Sequence, residues 1–278
     1  MPDAKFAIAV AQMDCTVGEI EPNLNKIRRL AQTASELGAQ LVIFPECAVT
    51  GYFVGDKLSE LAAPPDGAPS KALGDIARSA NLHLACGLFT SEGDAIRNTQ
   101  QMFSPQGECL ATYHKAHLFS AERTLCEPGN NPVVVDTALG RIGMTICYDL
   151  IFPEYIRSLI DLGADIVINS TNWIHDPYQR DFWGWSPERT QGLVSTRALE
   201  NVAFVAMSCR VGHEVAGPDL AFDSFGPSCV VSPSGKILAR IVDGEGVAVA
   251  HVDISESELD RWRGIATYRI DRRPELYR

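Results

Sequence analysis

RIGMTICYDLIFPEYIRSLIDLGADIVIN, residues 141–169, combines two apolar runs with a helical segment between them. The first run, residues 141–147, predicts a strand, and Pro153 occupies a position at which helices begin. Gly163 ends this helix, and residues 165–169 (DIVIN) predict a second strand that is buried on both faces. Because strand, helix and strand in this order form the unit of parallel sheets, the stretch predicts an α/β fold.

An earlier stretch of the chain is similar to the end of this one. Residues 37–43 (LGAQLVI) resemble residues 162–168 (LGADIVI), and each predicts a helix end, a glycine turn and a buried strand. The similarity indicates two similar α/β halves. Since no linker or low-complexity segment separates them, we expect a single domain over residues 1–278.

The charge and hydropathy of the chain limit its partners. Of its 278 residues, 24 are Lys or Arg and 35 are Asp or Glu, which gives a formal net charge of −11. We therefore expect neither nucleic acid nor a membrane surface as a partner, because both attract clustered cations. The apolar runs are too short to span a bilayer, and the N-terminus shows no secretory signal pattern. These features predict a soluble, cytoplasmic protein.

The cysteines and histidines do not form a recognisable metal motif. No two of the eight cysteines have Cys-x-x-Cys spacing, and a scattered set in a chain of this length is not typical of a disulfide framework. His114 and His117 are three residues apart, but no third ligand with suitable spacing accompanies them. We expect no metal, and we expect these histidines to pack beside a site or line its mouth.

Three polar residues occupy the same kind of position, directly after an apolar strand. Glu46 follows residues 41–45 (LVIFP), Lys115 follows the predicted strand ending at His114, and Cys147 ends the strand RIGMTIC. Catalytic groups gather at the carboxyl ends of strands in open α/β sheets. A thiol nucleophile, a carboxylate that exchanges its proton and an ammonium that lowers the pKa of the thiol would form a matched set. From spacing alone, three unrelated surface or core residues remain an alternative.

These residues lie in segments that match a known family one by one. The sequence resembles the carbon–nitrogen hydrolase (nitrilase) superfamily, whose members share a Glu-Lys-Cys triad. The matching segments, in chain order, are residues 44–52 (FPECAVTGY), 113–119 (YHKAHLF), 146–154 (ICYDLIFPE), 197–201 (RALEN), 226–235 (GPSCVVSPSG) and 272–277 (RRPELY). The resemblance runs from Ala7 to Tyr277 and covers nearly the whole chain.

The resemblance implies a role for each triad residue. Cys147 would attack the carbonyl or nitrile carbon, and Glu46 would act as general base and then as general acid. Lys115 would stabilise the tetrahedral intermediate. Its collapse would release ammonia or an amine and leave a thioester, which water would hydrolyse without any cofactor.

The resemblance also implies supporting residues and an architecture. Residues 122–129 (ERTLCEPG) are similar to a family pattern with a second glutamate, so Glu122 is the candidate that orients substrate or water. Cys126 replaces the aromatic residue usual in that pattern. The backbone N–H of Tyr148 would complete the oxyanion site. Family members fold as a four-layer α-β-β-α sandwich and pair through helices, so a homodimer or a higher homo-oligomer is expected.

The residues around the nucleophile indicate a branch of the family. Cys-Tyr-Asp at residues 147–149 is similar to the amidase and carbamoylase branches, which favours a small carboxamide as substrate over a nitrile. An N-carbamoyl amine or amino-acid hydrolase that releases CO₂ with ammonia is the alternative. Ile151 replaces an arginine that is common in the branch that hydrolyses ω-amides of dicarboxylates. This replacement weakens the assignment of an anionic substrate. A binding or scaffold protein that kept the fold would be expected to lose a triad residue, and none is lost.

An aromatic segment is the candidate for substrate binding. Residues 172–188 (NWIHDPYQRDFWGWSPE) follow a strand end and hold three of the four tryptophans. We predict that Asn172 and Trp173 from this segment, together with Tyr52, contact the substrate. An apolar or aromatic acyl group would suit such a lining. An aromatic lid or subunit contact that touches no substrate is the alternative.

Overall fold

The computed structural model describes residues 5–175, 181–182, 184–217 and 220–277. The strands are β1 (Lys5–Gln12), β2 (Leu41–Ile43), β3 (His83–Glu92), β4 (Ala95–Phe103), β5 (Cys109–His114), β6 (Val134–Thr137), β7 (Gly140–Ile146), β8 (Ile166–Thr171), β9 (Ile174–His175), β10 (Phe204–Cys209), β11 (Val211–Gly217), β12 (Leu220–Phe225), β13 (Ser228–Val231), β14 (Ile237–Ile241) and β15 (Gly246–Asp253). The α-helices are α1 (Ile20–Glu36), α2 (Leu58–Leu61), α3 (Ala68–Ala80), α4 (Glu122–Leu125), α5 (Pro153–Asp161), α6 (Pro187–Asn201) and α7 (Glu256–Ile265).

The strands form two six-stranded sheets and one small sheet. The first has the order β15-β1-β2-β3-β4-β5, the second has the order β14-β13-β10-β8-β7-β6, and the third has the order β11-β12-β9. In the first large sheet β1, β2 and β3 are parallel, and in the second β7, β8 and β10 are parallel. The α/β prediction is therefore confirmed.

Side-chain alternation along the strands separates three apolar layers. Ile8 in β1 and Ile168 in β8 point into a cluster between the two large sheets. Their neighbours point the other way, because successive side chains of a strand face opposite sides. Ala9 joins the cluster with α1 and α3, and Val167 joins the cluster with α5 and α6. The layers therefore follow the predicted order of helices, sheet, sheet and helices.

The two similar stretches of sequence occupy equivalent places. Gly38 follows α1 with φ +83°, and Gly163 follows α5 with φ +94°. This left-handed conformation favours glycine, and it turns the chain from each helix into the next buried strand. The strands that follow are β2 and β8, each in the parallel part of its sheet. The repeated glycine turn thus marks corresponding positions in the two halves.

The two large sheets are joined beside the ends of β2 and β8. Ser170 Oγ donates to the carbonyl oxygen of Phe44 at 2.7 Å, and Gln100 Nε2 donates to Ser170 Oγ at 2.6 Å. All three residues are buried. These hydrogen bonds hold the carboxyl ends of the central strands at a fixed separation. The predicted catalytic residues come directly after strand ends of these two sheets.

Within the described ranges, no helix is both long enough and apolar enough to cross a membrane.

Candidate active site

The three predicted catalytic residues follow strands from both large sheets and lie together. Lys115 Nζ donates to Glu46 Oε1 at 2.7 Å, and neither side chain is exposed to solvent. Cys147 reaches this pair through the backbone of Asn172, the residue after β8. The N–H of Asn172 donates to Glu46 Oε2 at 3.0 Å, and its carbonyl oxygen accepts from Cys147 Sγ at 3.8 Å. One peptide segment thus connects the thiol with the carboxylate.

Glu122 lies on the other side of the lysine. Its Oε2 accepts from Lys115 Nζ at 2.7 Å and from the backbone N–H of Phe119 at 2.7 Å. Glu122 is the first residue of α4 and is buried. Lys115 is therefore held between two carboxylates, and Glu122 lies where the sequence pattern of residues 122–129 predicts a second site glutamate.

Asn98 is a member of this cluster that the sequence analysis missed. Its Nδ2 donates to Glu46 Oε1 at 2.7 Å and to Glu122 Oε1 at 2.6 Å. Asn98 lies in β4, and its carbonyl oxygen accepts from the backbone N–H of Lys115 at 2.9 Å. A single asparagine in a predicted hairpin strand belongs to no recognisable motif. The only feature of the sequence that could have indicated a site residue is a polar side chain in a strand that is otherwise buried.

The electrostatics of the cluster follow from its burial. Burial alone would lower the pKa of Lys115, but the charges of Glu46 and Glu122 outweigh it and raise that pKa well above its ordinary value. Burial raises the pKa of Glu46, although Lys115 and the hydrogen bond from Asn98 oppose the increase. The lysine is therefore a permanent cation, while Glu46 is a stronger base than an exposed glutamate.

The surroundings of Cys147 favour the protonated thiol over the thiolate. Burial and the charge of Glu46 raise its pKa well above the ordinary value, and Lys115 opposes them only in part. Lys115 lowers the pKa of the thiol, which is the expected direction, but burial and Glu46 outweigh it and the pKa of Cys147 stays above its ordinary value. The physical reason is that two carboxylates already neutralise the ammonium, and the thiol lies in an apolar environment.

The backbone at Cys147 holds the thiol in a strained turn. Cys147 has φ +45° and begins a short 3₁₀ turn, Cys147–Ile151, directly after β7. Asp149 fixes this turn, since its Oδ2 accepts from the backbone N–H of Ile146 at 2.9 Å and from the hydroxyl of Tyr113 at 2.6 Å. A left-handed cysteine persists only where its surroundings dictate it, and such positions are concentrated at functional sites.

A cavity of about 430 Å³ opens onto the thiol. All three predicted substrate-binding residues, Tyr52, Asn172 and Trp173, line it, and so does Tyr148. The other lining residues within the described ranges are Phe119, Cys147, Ile151, Ile174 and Trp185. Among these described residues none is acidic or basic, so the wall around the nucleophile is apolar with a few polar atoms.

The aromatic segment is divided between this wall and the surface. Trp173 and Trp185 line the cavity, with ring centroids 5.4 Å apart. Phe182 is 74% exposed. Tyr178 and Trp183 lie outside the described residues. The segment therefore contributes to the cavity through its two ends.

The two histidines near the lysine make local hydrogen bonds. His114 Nδ1 lies 3.0 Å from Thr99 Oγ1, and His117 Nδ1 lies 2.8 Å from Asp149 Oδ1. His117 also stacks on the ring of Phe152, with 3.9 Å between the ring centroids. Among the described residues, no three His, Cys, Asp or Glu side chains form a group that could hold a metal ion.

Comparisons with known proteins agree with this geometry. The family model described as carbon-nitrogen hydrolase matches residues 7–262. A protein from Pyrococcus abyssi named nitrilase is 32% identical, over 97% of this chain and 98% of its own length. A Bacillus subtilis protein named 2-oxoglutaramate amidase is 29% identical, over 91% of this chain and 93% of its own length.

A solved structure is similar over the whole fold. It is a variant of the amidase from Nesterenkonia sp. AN1, in which the acetamide moiety of fluoroacetamide is added covalently at the active-site cysteine. The TM-score is 0.83 at 28% identity, covering 99% of this chain and 97% of that one. From the family match and the architecture together, this chain is a hydrolase that belongs to the carbon–nitrogen hydrolase family, and its four-layer fold is that of the nitrilase superfamily.

Proposed function

We propose that this enzyme hydrolyses small carboxamides with an uncharged, apolar acyl group, giving the acid and ammonia through a thioester on Cys147. One observation carries the proposal. A buried thiol faces an apolar cavity and is connected through Asn172 to a buried cluster of Glu46, Lys115 and Glu122. This arrangement supplies a nucleophile, its base and a fixed cation in one place.

The first step transfers the thiol proton. Burial raises the pKa of Glu46 and the pKa of Cys147. Glu46 is therefore a base that can take the thiol proton, and the sulfur need not be ionised before the substrate binds. Glu46 accepts the proton as sulfur bonds to the amide carbon, so charge develops only during attack. Glu46 then gives the same proton to the leaving nitrogen, which departs as ammonia.

The oxyanion that forms during attack needs donors that are already in place. Lys115 offers a permanent charge, held rigidly by Glu46 and Glu122. The backbone N–H of Tyr148 is the second candidate donor. It belongs to the first residues of the 3₁₀ turn, and N–H groups at the start of such a turn have no acceptor within it.

The second step hydrolyses the thioester. With ammonia gone, a water molecule takes the place of the leaving nitrogen beside Glu46. Glu46 removes a proton from this water as it attacks the acyl carbon, and the proton returns to sulfur when the acid leaves. Glu122 keeps Lys115 in position through both steps.

The lining of the cavity supports an uncharged acyl group. A carboxylate on the substrate would lose its hydration there without an opposing cation among the described lining residues, which is costly. Ile151 lines the cavity at the position where the resemblance to ω-amide hydrolases would place an arginine.

A panel of substrates tests the proposal. Butyramide, N-carbamoyl-β-alanine and butyronitrile would be incubated with the enzyme and with Cys147→Ala, and ammonia, CO₂ and butyrate would be measured. We expect ammonia and butyrate in equal amounts from butyramide, and none with Cys147→Ala. CO₂ from the carbamoyl compound, or turnover of the nitrile without the amide, would contradict the proposal and favour the corresponding alternative.

A further inference from the structure

A second cavity lies beside the first, and the steps described above place no part of the substrate in it. Its volume is about 450 Å³, within the range of small-molecule sites. It shares Tyr52, Phe119 and Ile174 with the first cavity. The two cavities are thus neighbours on either side of a common wall.

Different residues of the active site line the two cavities. Cys147 and Tyr148 line the first cavity, whereas Glu122 lines the second. Glu122 holds Lys115, which contacts Glu46, the proposed acid for the leaving nitrogen. Asn172 lines the first cavity, and its N–H donates to the other carboxylate oxygen of Glu46. Glu46 therefore lies between a residue of the first cavity and the Lys115–Glu122 pair at the second, so an amide whose acyl group fills the first cavity can direct its nitrogen substituent into the second.

The lining of the second cavity is apolar. Its described residues include Phe53, Val54, Leu58, Phe89, Leu125 and Phe222. Glu122 is the one charged residue among the described lining, and it already bonds to Lys115, Asn98 and the Phe119 N–H. A neutral, apolar group is therefore the ligand chemistry that this cavity fits.

A buried ion pair holds one wall of this cavity in place. Phe53 and Phe222 stack with ring centroids 4.5 Å apart and an interplanar angle of 9°. Glu214 Oε2 accepts from the backbone N–H of Phe53 at 3.0 Å, and Glu214 pairs with the buried guanidinium of Arg210. The aromatic wall is therefore preorganised by charges that take no part in the reaction.

We propose that the second cavity is a subsite for an apolar substituent on the amide nitrogen, so that the enzyme also hydrolyses N-alkyl and N-benzyl amides. The inference rests on the proposed function. Sulfur of Cys147 bonds to the acyl carbon, the C–N bond breaks, and the amine leaves with the proton that Glu46 took from the thiol. Water then converts the thioester to the acid and restores the thiol.

A matched substrate series tests the subsite. Butyramide and its N-methyl, N-propyl and N-benzyl derivatives would be compared by amine or ammonia release and by butyrate formation. Since each buried methylene is worth about 0.8 kcal/mol, kcat/KM should rise up to about fourfold per methylene from N-methyl to N-propyl. Hydrolysis of butyramide with no release of amine from any derivative would overturn the subsite and leave the proposed function intact. Failure to hydrolyse any of the four amides would overturn both.

Two variants would block the second cavity from different sides. Leu125 is 53% exposed, so Leu125→Trp covers the cavity without disturbing the core, and Val54→Phe fills it from the buried side. Each should lower the ratio of kcat/KM for N-benzylbutyramide to that for butyramide at least tenfold. Leu37→Trp is the matched control, because Leu37 is 54% exposed and lines neither cavity. An unchanged ratio in folded Leu125→Trp would contradict the subsite.

Discussion

The side-chain nitrogen of Asn98 lies 2.7 Å from Glu46 Oε1, although 52 residues separate the two in the chain. The same nitrogen lies 2.6 Å from Glu122 Oε1. One amide group therefore bridges two buried carboxylates that would otherwise repel each other. Together with Lys115, it allows both to occupy one apolar region, because each charge has a hydrogen-bond partner.

Replacing Asn98 by leucine tests this positioning role. The hydrogen bond from Asn98 lowers the pKa of Glu46, so its loss should raise that pKa further. We expect Asn98→Leu to reduce kcat/KM for butyramide by about 10- to 100-fold, as expected for impaired general base catalysis, and to move the acid limb of the pH profile to higher pH. Asn130→Leu, at an exposed position, is the control. A lower rate with an unmoved acid limb would indicate a purely structural role.

The pH dependence of the wild-type enzyme follows from the three raised pKa values. kcat/KM should increase as Glu46 ionises, at a pH above the range of exposed glutamates. It should then stay level to about pH 9, because Lys115 and Cys147 both titrate well above their ordinary values. Steady-state kinetics with butyramide would measure this profile. A tenfold rise per pH unit above about pH 8 would mean that free thiolate is required, contrary to proton transfer by Glu46.

Removing the lysine should cost stability as well as activity. Lys115→Met leaves two buried carboxylates without a cation, and we expect a loss of about 3–5 kcal/mol in the free energy of unfolding near neutral pH. The loss should be smaller in acid. Without the lysine, the pKa of Glu46 in the folded state lies further above its value in the unfolded state, so stability falls as the pH rises through it.

Urea unfolding at about pH 5 and pH 8 would measure the effect of Lys115→Met. Lys5→Met is the matched control, because the side chain of Lys5 is 81% exposed and lies 3.4 Å from Asp253. Such a surface pair contributes less than about 1 kcal/mol. A Lys115→Met protein with equal losses at both pH values would contradict the account of the buried cluster.

The acyl preference should respond to a single cation at the cavity wall. Ile151→Arg places a guanidinium where a carboxylate on the acyl chain would lie, and paired charges of this kind bind strongly. We expect the ratio of kcat/KM for succinamate to that for butyramide to rise at least tenfold. Ile151→Met, which keeps the wall apolar, should leave the ratio near its wild-type value. A preference for succinamate in the wild-type enzyme would show that the apolar acyl assignment is wrong.

Much of the architecture could be predicted because it depends on local patterns. The glycine turns at Gly38 and Gly163 and the apolar runs after them fixed the two buried strands. The positions of Glu46, Lys115 and Cys147 at strand ends predicted their convergence, and the structure brings them together. These features need only sequence periodicity and the geometry of sheets.

The parts that could not be predicted depend on contacts between distant segments. Asn98 reaches Glu46 only because β3 and β4 pair as an antiparallel hairpin and β2 lies beside β3. The raised pKa of Cys147 depends on its burial and on the nearby charge of Glu46, neither of which the spacing of the residues reveals. The second cavity is formed by residues from segments far apart in the chain, including the loop at Phe53, helix α4 at Leu125 and strand β12 at Phe222.

The most direct test of the central claim is to find the acyl group on the enzyme. Wild-type protein would be mixed with butyramide, quenched in acid within the first turnovers, and analysed by intact mass and peptide mapping. We predict a butyryl adduct on the peptide that contains Cys147, its presence in Cys229→Ala and its absence in Cys147→Ala. Hydrolysis of butyramide by Cys147→Ala at the wild-type rate, or an adduct on another residue, would contradict the thioester mechanism.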